Sequence, residues 1–230
     1  MSEGATAVGM VLGGDPALYT IVRLSLMISL SAAAFAALIG FPLGAFLALA
    51  RFPGRAVLVV ATNACMGLPP VVVGLAVYLL LSRSGPLGFL GFLFSPPAMV
   101  AAQTLLVLPI VVALTRQTVE DLWVEYRDEL TALRIGAGRR AMTLLWDARF
   151  SLVTTFLAGF GRAAAEVGTV MIVGGNIDGF TRTMTTAIAL ETSKGNLPLA
   201  LGLGLVLITL IFAVNAAAWG IRRVGELRAG

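Results

Sequence analysis

Histidine is absent from this chain of 230 residues, and cysteine and lysine occur once each. Without histidine the chain has no Ser-His catalytic arrangement and no imidazole metal site. The single cysteine, Cys65, excludes an intrachain disulfide and a CxxC motif. The single lysine, Lys194, precedes Gly195, so there is no GxxxxGK[ST] phosphate-binding loop. These absences argue against covalent catalysis by this chain and predict neither a cofactor nor a metal ion.

Charged residues are also scarce, at 12% of the chain, whereas 58% is hydrophobic and the mean hydropathy is +0.95. A soluble domain has about twice that charged share, so most of this chain is expected to face lipid or other helices. Five long stretches approach or exceed the roughly 20 apolar residues that cross a bilayer as a helix. They are 24–50, 56–82, 98–115, 150–177 (interrupted only by Arg162 and Glu166) and 195–221.

The prediction is therefore an all-α, polytopic membrane protein with five spanning helices. The apolar segment 183–190 is too short to span and is interpreted as a surface or re-entrant helix on the extracytoplasmic side. Counting it gives six helices.

Arginine placement predicts the orientation of these helices. Eleven of the 16 basic residues fall in the gap after the first stretch, the gap after the third stretch and the C-terminal tail. With five spans these regions share one side of the membrane, which the positive-inside rule makes cytoplasmic. The C-terminus is then cytoplasmic and the N-terminus outside, where Glu3 and Asp15 stand without any basic residue before position 20. Such grouping does not form a nucleic-acid-binding face, so no nucleic-acid partner is predicted.

Prolines inside three of the stretches predict breaks in the helices. Pro42, the Pro69–Pro70 pair and Pro109 each remove a backbone donor and clash with the preceding turn. They are either ordinary kinks of membrane helices or broken helices that line a gated pathway. Three in one small protein favour the second interpretation.

The long polar stretch 117–149 lies between the third and fourth apolar stretches. Leu122, Tyr126, Leu130 and Leu133 recur at spacings of four, four and three, which is typical of the apolar stripe of an amphipathic helix. The Gly-Ala-Gly sequence at 136–138 then predicts a turn, and a second helix is expected from Arg139–Arg140. We interpret the whole stretch as a cytoplasmic knob that docks into a partner, because a solvated loop does not need an apolar stripe.

Residues 128–137, Asp-Glu-Leu-Thr-Ala-Leu-Arg-Ile-Gly-Ala, resemble the EAA loop of ABC importer permeases, whose pattern is Glu-Ala-Ala, three residues, then Gly. With Gly136 on the glycine, Ala132 and Thr131 take the alanine positions and Leu130 takes the glutamate position. The resemblance implies contact with a cytoplasmic ATPase, and it leaves open whether Asp128 or Glu129 is the contacting acid. The candidate ATPase-coupling residues are Tyr126, Glu129, Leu130, Ala132, Leu133 and Gly136.

A second resemblance rests on three further segments. They are 161–168 (Gly-Arg-Ala-Ala-Ala-Glu-Val-Gly), 171–177 (Met-Ile-Val-Gly-Gly-Asn-Ile) and 181–191 (Thr-Arg-Thr-Met-Thr-Thr-Ala-Ile-Ala-Leu-Glu). These segments resemble the molybdate/tungstate class of ABC permeases, most of all its tungstate-specific branch, and the resemblance covers roughly residues 18–225.

The resemblance implies one transmembrane domain, 1–230, with the type I ABC importer permease fold and the coupling loop 117–149. It also implies a homodimer, a pair of cytoplasmic ABC ATPase subunits, an extracytoplasmic substrate-binding protein and a place in the cell membrane of a prokaryote. The implied function is ATP-driven import of a tetrahedral oxyanion, tungstate, by alternating access, with no enzyme activity in this subunit.

Pathway residues for an oxyanion must bind weakly enough to permit release. The pathway or gate candidates are Arg162, Glu166, Thr169, Asn176, Thr181 and Thr183. Arg162 and Glu166 are one helical turn apart and are expected to pair, because an isolated charge at a helix centre costs about 2.5–3.5 kcal/mol. Two interpretations stand: the pair assists a dianion or forms part of a gate, or it lies near the cytoplasmic end of the span and only ties helices together.

Three alternatives stay open at this point. The same architecture serves equally for molybdate or sulfate, with the specificity residing in the binding protein. An intramembrane enzyme is disfavoured by the missing histidine and by the lack of paired intramembrane acids. A structural membrane scaffold is disfavoured by the proline breaks and by the knob.

Overall fold

The computed structural model describes residues 16–229, so the N-terminal segment with Glu3 and Asp15 lies outside the described residues. The described chain is helical and contains no β-strand, which confirms the predicted all-α class. The helices are α1 (Pro16–Leu49), α2 (Arg55–Met66), α3 (Pro70–Leu81), α4 (Pro96–Ala132), α5 (Ala137–Asp147), α6 (Arg149–Ala164), α7 (Gly168–Gly174), α8 (Met184–Ser193) and α9 (Leu197–Ala229). A 3₁₀ turn, Gly88–Leu90, lies between α3 and α4.

Three helices are long and apolar enough to cross a bilayer: α1 over Leu18–Leu49, α4 over Pro96–Ala132 and α9 over Leu197–Gly220. The pairs α2–α3 and α6–α7 reach spanning length only together, and they bend by 102° and 62° where their halves meet. The described residues therefore give three to five membrane spans. α8 has 10 residues and is too short to span, in line with the expectation for 183–190.

Of the three predicted proline breaks, one is a break. Pro70 is the first residue of α3, directly after the interruption that separates it from α2. Pro42 and Pro109 lie inside α1 and α4, which continue through them, so the predicted breaks at those two positions are wrong. A proline removes one backbone donor, and packing along the rest of a long helix outweighs that loss. The second observed break, at 165–167, contains no proline.

α1 and α4 pack along each other and form the centre of the protein. A Cβ on Gly40 would lie 2.7 Å from Val111 Cγ1, and a Cβ on Gly44 would lie 2.6 Å from Thr115 Cβ. Glycines four residues apart allow two helix backbones to approach closely within a membrane. Buried side chains extend this core from α1 and α4 to α6 and α7, as in the clusters Ala36, Val107, Val111 and Ala163, and Ile28, Met99 and Val170.

α4 is 37 residues long and runs without interruption from the membrane region into the predicted knob. The separate short helix expected at the start of 117–149 is therefore the end of a spanning helix. The turn after it contains Arg134 at a φ of 51°, and α5 then begins at Ala137, two residues before the expected start. We use "the knob" for the end of α4 from residue 117 together with α5.

A tight corner between α8 and α9 is held by Glu191. Its Oε1 accepts a hydrogen bond from Lys194 Nζ at 2.8 Å, and its Oε2 accepts one from Asn196 Nδ2 at 3.1 Å. The hydrogen bond from Lys194, opposed in part by burial, lowers the pKa of Glu191. The corner sets α8 against α9, where Met184 and Leu203 share a buried cluster.

Candidate functional site

The break between α6 and α7 contains a charged pair. Arg162 lies in the last turn of α6 and Glu166 lies in the break, with Arg162 Nη1 2.6 Å from Glu166 Oε2. The Glu166 side chain is 4% exposed and that of Arg162 is 32% exposed. The second carboxylate oxygen, Glu166 Oε1, accepts the backbone N–H of Thr169 at 3.2 Å. Glu166 thereby caps α7, whose N-cap residue, Val167, offers no side-chain acceptor.

This pair lies at the end of α6 that is far from the knob. α6 begins at Arg149, next to the knob, and thirteen further residues at 1.5 Å each place Arg162 about 20 Å along the helix. The pair ties α6 to the break. Its depth in the membrane, and with it the choice between a gate and a tie between helices, stays a prediction.

The two broken spans touch each other at their breaks. Thr169 Oγ1, on α7, donates a hydrogen bond of 2.6 Å to the backbone oxygen of Pro70, at the start of α3. A Cβ on Gly74 would lie 2.9 Å from Thr169 Cα, so glycine at 74 is what lets α3 and α7 come this close. Thr169 is fully buried. The helix pairs α2–α3 and α6–α7 are thus hydrogen-bonded and closely packed against each other at their bends.

The N-terminus of α8 is joined to the same break. Thr185 Oγ1 donates to the backbone oxygen of Glu166 at 2.8 Å, and Ser25 Oγ on α1 accepts the N–H of Met184 at 2.7 Å. Thr183 caps α8 through a reciprocal pair with Thr186, whose Oγ1 accepts the N–H of Thr183 at 3.0 Å. Hydroxyl groups therefore connect three helices around the charged pair.

Gln103 on α4 completes this set of polar residues. Its Nε2 donates to the backbone oxygen of Ala163 at 3.0 Å, whereas its buried Oε1 has no hydrogen-bond partner within the described chain. Gln103, Ser29 and Glu166 border a small cavity. The centre of a water molecule can occupy about 10 Å³ of it, which is room for roughly one water. We call Ser25, Ser29, Gln103, Arg162, Glu166, Thr169, Thr183 and Thr185 the polar junction.

Four of the predicted pathway residues meet in this junction: Arg162, Glu166, Thr169 and Thr183. Thr181 and Asn176 instead build the turn that follows α7. Thr181 Oγ1 donates to the backbone oxygen of Gly174 at 2.6 Å and accepts the N–H of Ile177 at 2.9 Å. Asn176 has a φ of 50°, and its Oδ1 is buried without a hydrogen-bond partner in the described chain.

The sequence analysis missed Ser25, Ser29, Gln103 and Thr185. Gln103 carried a usable signal, because it is the one amide in the apolar stretch 98–115. The other three are small hydroxyl residues, which are common in membrane helices and gave no signal of their own.

The candidate contact residues of the knob divide into an inner and an outer group. Leu130 is 7% exposed and packs with Ala45, Val119 and Leu144, and Tyr126 packs against the same cluster. At Leu130 the apolar stripe therefore holds the knob together instead of facing a partner, whereas Tyr126 is half-buried and keeps part of its side chain exposed. The outer group is exposed: Glu129, Ala132, Leu133 and Gly136. Further large apolar side chains are exposed beside it, namely Val124, Met142 and Trp146.

A charged network fixes the knob to the membrane region. Arg55, at the start of α2, contacts Glu120 Oε1, and its Nε donates to the backbone oxygen of Leu47 at the end of α1. Arg116 Nη1 lies 2.5 Å from Glu120 Oε2. α1, α2 and α4 are therefore joined where the knob begins.

The described residues thus form an all-helical protein with three to five candidate membrane spans, two bent helix pairs joined at a polar junction, and a knob that continues a long apolar helix. The chain belongs to the ABC transporter permease family. Permeases of this family are not enzymes themselves, since the ATPase is a separate subunit. The family predicted from the two sequence resemblances is thereby confirmed.

Among its relatives, the chain is similar to the probable anion ABC transporter permease protein of Haloferax volcanii, with 42% identity over 86% of this chain and 88% of that protein. It is similar to the tungstate uptake system permease protein TupB of Peptoclostridium acidaminophilum, with 39% identity over 96% of this chain and 98% of that protein. The molybdenum transport system permease protein ModB of Escherichia coli K12 is more distant, at 32% identity over 91% of this chain and 95% of that protein. No family model matches the chain.

Proposed function

We propose that this chain is the membrane permease subunit of an ATP-driven importer for tungstate. The observation that carries the proposal is the 39% identity to TupB along 98% of that permease. The molybdenum permease at 32% and the sulfate permeases at 26 to 28% are more distant. The permease provides the route through the membrane, and the energy comes from ATP hydrolysis on a separate subunit.

In this proposal the protein crosses the cell membrane of a prokaryote five times, each bent pair counting as one crossing. The N-terminus is outside and the C-terminus is cytoplasmic, because the arginine-rich gaps and the tail then share the cytoplasmic side. The knob, between the third and fourth crossings, projects into the cytoplasm. The turn after α7 and the corner between α8 and α9 face the extracytoplasmic binding protein.

The polar junction is the gate in this proposal. Glu166 holds Arg162 in the closed arrangement and caps α7 with its other oxygen, so a shift of α7 against α6 alters both contacts together. A tetrahedral dianion at the junction competes with Glu166 for Arg162. A ligand shifts the equilibrium between the closed and the open arrangement only if it binds one of them more tightly. Here the dianion replaces Glu166 as the anionic partner of Arg162, so it favours the open arrangement.

The knob is the proposed contact with the ATPase, through the exposed residues Glu129, Ala132, Leu133 and Gly136. Gly136 supports this assignment. Its φ of −66° suits any residue, and a Cβ there would meet no atom within 4 Å, so nothing within the chain requires glycine at 136. A partner that packs closely on this position supplies the reason. Tyr126 and Leu130 act from inside the knob by fixing its shape.

The protein acts as a homodimer in this proposal. α2 has no buried residue, and only 17% of the apolar window of α9 is buried within one copy. Helices with so little cover within one copy offer surface to lipid and to a second copy. The dimer recruits two ATPase subunits and one extracytoplasmic binding protein.

The test is reconstitution of the permease in liposomes with its ATPase and its binding protein. The binding protein is first titrated calorimetrically with tungstate, molybdate and sulfate, and uptake of each anion is then measured with ATP inside the liposomes. We expect tungstate to bind most tightly and to be taken up in preference. If molybdate were taken up as well as tungstate or better, molybdate would replace tungstate as the proposed substrate. If none of the three anions stimulated ATP hydrolysis, the importer assignment would be overturned.

A further inference from the structure

A groove between α4 and α6 lies outside the polar junction. It has a volume of about 290 Å³ and is lined by polar side chains from both helices: Gln117, Thr118, Asp121, Ser151, Thr154 and Thr155. Leu114 and Ala158 complete the lining. The positions 114, 117, 118 and 121, and 151, 154, 155 and 158, recur at the spacing of one helix face, so two polar faces stand opposite each other.

These faces lie on helices that otherwise carry apolar surface. Ser151 and Thr154 are exposed in one copy, although α6 is part of a candidate membrane span, whereas Gln117 lies where α4 enters the knob. The exposed face of α9 is by contrast formed by large apolar residues such as Leu201, Leu205 and Phe212. Polar surface on a spanning helix lies against protein or water and not against lipid. The groove therefore belongs to the interior of the assembled transporter.

The groove points towards the charged pair at one end and reaches the knob at the other. Arg162 follows Ser151, Thr155 and Ala158 on the same face of α6, at steps of four, three and four residues. At the opposite end, Asp121 lies on α4 within the knob. The groove thus leads from the middle of the span to the arginine-rich side of the membrane.

The chemistry of the groove suits release more than binding. Thr118 Oγ1 donates to the backbone oxygen of Leu114, and Thr155 Oγ1 donates to that of Ser151, so these hydroxyls turn acceptor lone pairs outward. The remaining donors, such as the Gln117 amide and the Ser151 hydroxyl, are uncharged and exposed, so they bind an anion only weakly. The carboxylate of Asp121 repels an anion that approaches from the knob side.

We infer that this groove is one wall of the water-filled exit by which the oxyanion leaves the junction for the cytoplasm, with Asp121 keeping the anion from dwelling in it. The inference rests on the proposed function, because it takes the transported solute to be an anion. A second copy of the chain supplies the facing wall. The alternative is that the same surface packs directly against the second copy and forms a dry interface.

The test is charged-reagent labelling of single cysteines in the complete transporter with its ATPase. In a Cys65→Ser background, Ser151→Cys, Thr154→Cys and Ala158→Cys are compared with Leu205→Cys, whose parent side chain is 47% exposed on apolar α9. A thiol ionises and reacts only where water reaches it. We expect an anionic thiosulfonate to modify the groove cysteines at least about tenfold faster than Leu205→Cys.

Rates equal to that of Leu205→Cys, or disulfides between copies in place of labelling, would overturn the exit and identify a dry interface. In addition, Asp121→Asn is expected to raise the rate of anionic labelling at Thr154→Cys about threefold and to lower that of cationic labelling about threefold, as removal of a unit charge at about 7 Å in water does. An unchanged ratio would exclude Asp121 from the exit. Labelling does not depend on which anion is carried, so a failure of tungstate uptake with labelling intact would count against the proposed function alone.

Discussion

The hydroxyl of Thr169 donates a hydrogen bond of 2.6 Å to the backbone oxygen of Pro70, across a sequence separation of 99 residues. Each of these residues stands at the start of the second half of a broken span, Thr169 in α7 and Pro70 in α3. The bond therefore joins the two places where the helical hydrogen-bond pattern is interrupted. A change of angle at one break is transmitted to the other.

Thr169→Val removes this bond while keeping the shape of the side chain. The lost hydrogen bond is expected to lower stability by about 1 kcal/mol and to reduce tungstate-stimulated ATP hydrolysis by more than that loss of stability explains. Thermal unfolding in detergent and ATPase assays in liposomes measure the two effects. Thr62→Val is the matched control, because the Thr62 hydroxyl donates to Leu58 within α2. Equal effects of the two variants would show that the link between the breaks has no part in transport.

A double-mutant cycle separates the contributions of Arg162 and Glu166 to assembly and to transport. Arg162→Gln and Glu166→Gln each leave one charge without its partner inside the span, and each is expected to lower the yield of folded dimer. In the double variant neither charge remains, so assembly is expected to recover, with a coupling energy of roughly 1–3 kcal/mol. Uptake by the recovered double variant then decides the role of Arg162. Restored uptake would mean that the pair only ties helices, and absent uptake is expected if Arg162 meets the anion.

Gly44→Ala places a methyl group 2.6 Å from Thr115 Cβ and 2.8 Å from the backbone oxygen of Val112. Overpacking of this kind costs about 1–3 kcal/mol, although alanine otherwise favours a helix over glycine by about 1 kcal/mol. We expect a lower unfolding temperature for Gly44→Ala. Gly204→Ala on α9 is the control, because its Cβ would meet no atom within 4 Å. A stability for Gly44→Ala at or above that of the control would contradict the tight α1–α4 contact.

Gly136→Asp tests the knob. A side chain at this position fits within the chain itself, so the variant is expected to fold like the wild type. It is expected to lose most of the stimulation of the ATPase by loaded binding protein, with Gly136→Ala intermediate because its side chain is smaller and uncharged. Co-purification of the ATPase and its stimulated activity are the readouts. Full association and normal uptake by Gly136→Asp would rule out close packing of the ATPase on this residue.

Glu191 gives a prediction for pH. Its pKa in the folded protein is lowered from the ordinary value of 4.5, mainly by the hydrogen bond from Lys194. A lowered pKa adds stability above the unfolded value, and this contribution is lost as the pH falls through the folded value. Lys194→Met is therefore expected to unfold at a lower temperature than the wild type at pH 7, and the difference is expected to shrink below pH 4.5. A difference that does not change with pH would exclude the ion pair as its source.

Hydropathy alone predicted where the long apolar helices lie, because a long apolar run has few other stable forms in a bilayer. It also marked α8 as a short separate helix. The breaks were harder to predict. The pair Pro69–Pro70 predicts one of them. At the break 165–167, Glu166 accepts the backbone N–H of Thr169 instead. A carboxylate three residues before a polar residue is not a distinctive pattern, so the sequence does not reveal this break.

The candidate site was predictable where the signal is local. Arg162 and Glu166 are conspicuous charges one turn apart in an apolar stretch, and they do pair. Gln103 belongs to the junction through Ala163, which is 60 residues away, and no local pattern reveals such a contact. The stripe in the knob shows a different limit. Helical periodicity identifies an apolar face but does not tell whether the chain itself or a partner covers it, and at Leu130 the chain covers it.

The unbroken course of α4 has a mechanical consequence. Its 37 residues form a rod about 55 Å long, and the points where Gly40 and Gly44 press against it, Val111 and Thr115, fall near its midpoint. Because a helix is a stiff element, we expect a displacement of Ala132 to be carried along α4 as far as Pro96, at the other end of the helix.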